Sequence, residues 1–108
     1  MTTNRIIALF TLKPGVDADA YEAWARKVDL PTVNRLPSIS RFDVFKATAL
    51  LGSTEKPPYH YIEILDVKDM DQFGRDVATP MMQKIANEFQ AIADVTFILT
   101  EALLWGQP

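Results

Sequence analysis

The sequence predicts a single α+β domain whose elements run β-α-β-β-α-β. Three observations carry this. Four runs rich in β-branched and aromatic residues are spaced along the chain: RIIALFTL (5–12), ISRFDVFK (39–46), YHYIEIL (59–65) and VTFILTEALL (95–104). Two stretches between them keep helical spacing instead. The 108 residues, 48 % of them hydrophobic, suffice for one domain with one core.

The first strand ends at the turn signal Lys13-Pro14-Gly15. In ADAYEAWARKV, Tyr21, Trp24, Ala25 and Val28 follow i, i+3, i+4, i+7 and share one face. Asp17 or Asp19 caps the first turn. Leu30-Pro31 disturbs this helix near its end. The second helical stretch runs from about 69 to 93, with Phe73, Val77, Met81, Ile85, Phe89 and Ile92 in helical register. Thr79-Pro80 divides it, because proline lacks an N–H and crowds the preceding turn. Thr79 then caps the second half, with Pro80 in its first turn. The only long connection is GSTEKPP (52–58), between the second and third strands. This order is the ferredoxin-like plan, with a four-stranded antiparallel sheet.

Alternation assigns the strand faces. One face collects Ile6, Ala8, Phe10 and Leu12 with Phe42, Val44, His60, Ile62, Ile64, Phe97, Leu99 and Leu103. Its apolar character places it under the helices. The other collects Ile7, Leu9, Arg41, Asp43, Phe45, Tyr59, Tyr61, Glu63, Leu65 and Ile98. Two helices cover one face of a four-stranded sheet. The remaining face is apolar enough to mark an interface, and a second copy of the sheet is the simplest cover. A homodimer is expected, with Arg41, Asp43, Phe45, Tyr61 and Glu63 at its contact. A monomer with one solvated sheet face is the alternative.

Composition narrows the chemistry. The formal charge is −3 and no Lys/Arg cluster stands out along the chain, so neither nucleic acid nor a membrane surface is an expected partner. The absence of cysteine excludes disulfides, thiolate catalysis and cysteine-based zinc sites. One histidine excludes a histidine-rich metal site within the chain. No nucleotide-phosphate loop motif occurs, and no apolar run is long enough to span a bilayer. MTTNR carries no signal-peptide pattern, and a cytoplasmic location is the default expectation.

Two residues stand out as candidate acid–base groups. His60, the only histidine, is assigned to the helix-covered face, either as packing or as a proton-exchanging group. Asp29 lies on the flank of the inward helical stripe, either as a solvent-facing carboxylate or as one at the edge of an apolar pocket, where His60 is its expected partner. Phe10, Tyr21, Trp24, Val28, Phe42, Ile62, Met82 and Phe89 read as core, or as the walls of a cavity for a flat aromatic ligand.

Two blocks, LKPGVDADAYEAWARKVDLPTVNRLPSISRFDVFKA and YHYIEILDVKDMDQF, resemble the dimeric α/β-barrel superfamily across nearly the whole chain. Its EthD-like and RedY-like members are the nearest in pattern, the latter known from prodiginine and bisindole pigment pathways. The resemblance implies two sheets packed into a dimeric barrel, no cofactor, and a small aromatic substrate. Trp24, Asp29 and Pro31 match the EthD-like W-x₄-H-x-P, with aspartate in the histidine's place. His60 and Glu63 match the spacing of a pocket histidine and a glutamate in a plant polyketide cyclase. That relative's catalytic histidine falls at Met82 and its pocket tyrosine at Asp29, so the resemblance moves acid–base work to His60 and Asp29. Three functions follow as expectations: a cofactor-free enzyme of secondary metabolism performing cyclisation, condensation or dehydration; a cofactor-free monooxygenase; or a non-catalytic dimer that shelters an intermediate.

Overall fold

The computed structural model describes residues 4–103. Strands β1 (Asn4–Leu12), β2 (Ile39–Lys46), β3 (Tyr61–Val67) and β4 (Ala93–Leu99) form one antiparallel sheet in the order β2-β3-β1-β4. Helices α1 (Ala18–Trp24) and α2 (Leu30–Asn34), with a π-turn at Ala25–Asp29 between them, make the first crossover. Helices α3 (Met70–Val77) and α4 (Pro80–Ile92) make the second. The ferredoxin-like α+β plan is therefore the fold of this chain. The last position of the fourth strand-like run, 104, lies outside the described residues.

Local chemistry explains the boundaries. Asp17 caps α1, its carboxylate accepting from the Ala20 N–H at 3.2 Å. Gly15 turns the chain at φ 84°, a conformation that a Cβ disfavours. Thr79 caps α4 and Pro80 opens it. Asn34 staples α2 to the sheet, since its amide both donates to the Phe42 carbonyl and accepts from the Phe42 N–H, each at 2.9 Å.

The core lies between the helices and one sheet face. Ile6, Ala8, Phe10, Phe42, Tyr61, Leu65 and Val67 are buried there beneath Tyr21, Val33, Met82, Ile85 and Phe89. Phe10 is the hub of an aromatic cluster: its ring is 5.5 Å from Tyr21, 5.2 Å from Tyr61 and 4.9 Å from Phe89. Such contacts add to the apolar burial.

The faces of β1, β2 and β4 match the alternation read from the sequence, but β3 is inverted. Its register pairs Phe10 with Tyr61, Ala8 with Glu63 and Ile6 with Leu65. Tyr61 and Glu63 thus face the helices and are buried, whereas Ile62 and Ile64 face outward. Both phases of this strand are apolar, so its sequence pattern is ambiguous and the charge of Glu63 points to the wrong face. A one-residue change of phase moves every side chain to the opposite face. Phe10 and Leu65 decide the outcome, because the pairing that buries both leaves Glu63 beneath the helices.

Candidate active site

The π-turn is the device that aims Asp29. Pro31 has no N–H, and its ring crowds the carbonyl four residues earlier. The ladder widens just before it, and the Leu30 N–H bonds to the Ala25 carbonyl, five residues back. The extra residue swings Asp29 from the flank of the helix into the interior, where it is 6 % exposed. Glu63, on the middle of β3, is 4 % exposed. Both carboxylates line one cavity of about 170 Å³ between the sheet and α2, α3 and α4. The rest of the wall is mostly apolar, including Val33, Phe42, Leu65, Phe73, Met82 and Phe89.

Neither carboxylate receives a hydrogen bond among the described residues; burial dominates both. Burial pushes Asp29 up to about 6. Burial, together with the negative charge of Asp29, pushes Glu63 up to about 8. Both carboxyls therefore keep their protons to higher pH than exposed carboxylates do, Glu63 further than Asp29. Two carboxyls in one pocket with separated affinities are an arrangement that can divide acid and base roles. Above the aromatic cluster, the Tyr21 hydroxyl is buried without a partner among the described residues, and burial raises its pKa.

Each residue expected at the site has a definite place. Asp29, Phe42, Met82 and Phe89 line the cavity. Phe10, Tyr21 and Trp24 pack in the aromatic cluster behind it, and Val28 packs against the core at its edge. Ile62 is on the open face, opposite Phe45. Arg41, Asp43 and Phe45 are also on that face, where Arg41 pairs with Asp43 at 2.6 Å. Tyr61 and Glu63, expected at a dimer contact, are instead beneath the helices; the Tyr61 hydroxyl donates to Glu22 at 2.6 Å.

His60 does not enter the helix-covered cavity and does not meet Asp29. It precedes β3 in the outward phase, is exposed, and its Nδ1 accepts from the Leu12 N–H at 2.9 Å. The face inversion of β3 removes His60 from the cavity and supplies Glu63 in its place. One sequence signal points to Glu63: extending the third strand to Val67 puts Tyr61, Leu65 and Val67 in one phase and Asp66 in the other. Among the described residues, no group of three or more His, Asp or Glu is placed to hold a metal ion. No helix among them is long and apolar enough to cross a membrane.

The fold defines a class, the ferredoxin-like α+β proteins. Within it, this chain belongs to the REDY-like HapK family, whose model matches residues 4–103. HapK from Hahella chejuensis is similar over 97 % of both chains, with 32 % identity and a TM-score of 0.76. The fold is shared with SnoaB, a cofactor-independent oxygenase from Streptomyces nogalater (21 % identity, 96 % of both chains, TM-score 0.69). It is shared too with a dimeric ferredoxin-like protein from Thermobifida fusca (20 % identity, 93 % of this chain and 91 % of that one, TM-score 0.68). No curated protein matches the sequence at a significant level.

Proposed function

We propose that the protein is a cofactor-independent acid–base enzyme of secondary metabolism, acting on an aromatic, pyrrole- or indole-like intermediate in a pigment-type pathway. One observation carries the reading: Asp29 and Glu63 face one small apolar cavity with proton affinities on either side of neutrality. An apolar cavity of about 150 Å³ accepts a benzene-sized ring, so a cavity of this size suits one flat ring. The Asp29 carboxylate takes a proton from the ring N–H or from a carbon beside a carbonyl. The Glu63 carboxyl gives one to the oxygen that develops charge or leaves. One proton enters the protein and one departs, so the pair is restored by a single exchange between the two groups. Cyclisation, condensation and dehydration can each use this pairing.

Deletion of the gene in its producing organism is expected to make an aromatic intermediate accumulate, and purified protein to consume it without oxygen uptake. Consumption coupled to oxygen uptake would assign a monooxygenase, and binding without conversion a sheltering protein.

We also propose that the chain works as a homodimer in the cytoplasm. The open sheet face presents Ile7, Leu9, Phe45, Ile62, Ile64 and Ile98, and Phe45 is 50 % exposed. An apolar patch of this kind marks an interface, and the dimeric relative of the same fold supports a second copy as its cover. Ile62→Glu places a charge at the centre of that face, and light scattering is expected to report a monomer where the wild type is a dimer. A wild-type monomer at the same concentration would sink the proposal.

A further inference from the structure

A second recess, of about 500 Å³, opens at the end of the sheet where the β1–α1 turn meets the loop before β3. It shares no lining residue with the carboxylate cavity. Three lysines wall it, Lys13 from the turn, Lys46 from the end of β2 and Lys56 from the loop, and no acidic side chain does. On a chain with 14 acidic and 11 basic residues this is a local reversal of charge. It is invisible along the sequence, because the three lysines are far apart there.

His60 also lines this recess and is held by three bonds. Its N–H donates to the Phe10 carbonyl, its carbonyl accepts from the Ala47 N–H, and its Nδ1 accepts from the Leu12 N–H, each at 2.9 Å. Accepting at Nδ1 leaves the imidazole hydrogen on Nε2, so the ring has one N–H to offer. Lys46 is paired with Glu22 at 2.9 Å, but Glu22 is shared with Arg26 at 3.6 Å, so one negative charge faces two positive ones. Lys13 and Lys56 have no acidic partner among the described residues. Tyr59, 38 % exposed, adds an aromatic wall.

We propose that this recess is a second binding site, for a phosphate-type oxyanion. Two uncommitted ammonium groups match a doubly charged oxyanion, which lysines bind as point charges. The imidazole N–H supplies a directed donor. The same chemistry is offered by free phosphate and by an aromatic phosphate ester that lies against Tyr59.

His60 is the only histidine, so its ring signals stand alone in an NMR spectrum. The full chain is titrated with inorganic phosphate and with phenyl phosphate, at fixed pH and with ionic strength held constant by sodium chloride. The expected result is a saturable movement of the His60 ring signals, with affinity at least tenfold weaker in the Lys13→Gln, Lys56→Gln double variant. Tighter binding of phenyl phosphate, with the advantage lost in Tyr59→Ala, supports the site and assigns the ester. Equal binding supports it and assigns free phosphate. Absence of saturation, the same shifts with chloride alone, or undiminished affinity in the double variant would overturn the proposal. Lys56 is exposed and Lys13 half-buried, and a circular dichroism spectrum matching the wild type checks that the double variant is folded.

Discussion

Glu63→Gln is expected to make the protein more stable at pH 9 by on the order of 5 kcal/mol, against about 1 kcal/mol at pH 5. Glu63 is buried beside Asp29, and both effects hold its proton to about pH 8. In the unfolded chain the same carboxyl loses its proton near 4.3. Between those values the folded state binds more protons than the unfolded one, so stability falls as pH rises through the window. Asp29 adds to the decline in the lower part, up to about pH 6. Glutamine keeps the shape and cannot ionise. Chemical denaturation at pH 5, 7 and 9 measures the slope. A wild-type stability that rises from pH 5 to pH 9 would contradict the burial of an ionisable Glu63.

Asp29→Asn is expected to reduce turnover of the accumulated intermediate by about 10² to 10⁴-fold, the range that general acid–base groups contribute. The variant retains the side-chain shape and removes the base. The wild-type rate is expected to rise through about pH 6 as Asp29 ionises and to fall through about pH 8 as Glu63 loses its proton. Glu63→Gln removes the acid, so its rate should fall by a similar factor, and the residual rate should lack the alkaline limb. A wild-type rate in Asp29→Asn, with the cavity intact, would remove the acid–base mechanism while leaving the cavity as a binding site.

The architecture is legible because the phases of most strands are unequal. Arg41 and Asp43 mark one phase of β2 as outward, Asp94 and Thr96 do the same in β4, and in β1 the bulk of Phe10 favours its phase over that of Ile7 and Leu9, so alternation assigns all three correctly. The break at Thr79-Pro80 and the cap at Asp17 follow from side-chain chemistry within a few residues. Strand β3 was not legible in this way. Its two phases differ little in apolar content, and its orientation is set by partners 50 or more residues away in β1. That single inversion exchanges His60 for Glu63 in the cavity. Asp29 was visible as an oddity beside Pro31, but its inward aim depends on a π-turn, which helical periodicity at 3.6 residues per turn does not anticipate.

The proposed chemistry rests on two carboxyls that share one apolar cavity with proton affinities on opposite sides of neutrality. Carbon-13 NMR of the side-chain carboxyl groups, followed from pH 3 to pH 10, measures both directly. The expected result is a midpoint of about 6 for Asp29 and about 8 for Glu63. Midpoints for both groups in the ordinary carboxylate range, near about 4, would contradict it.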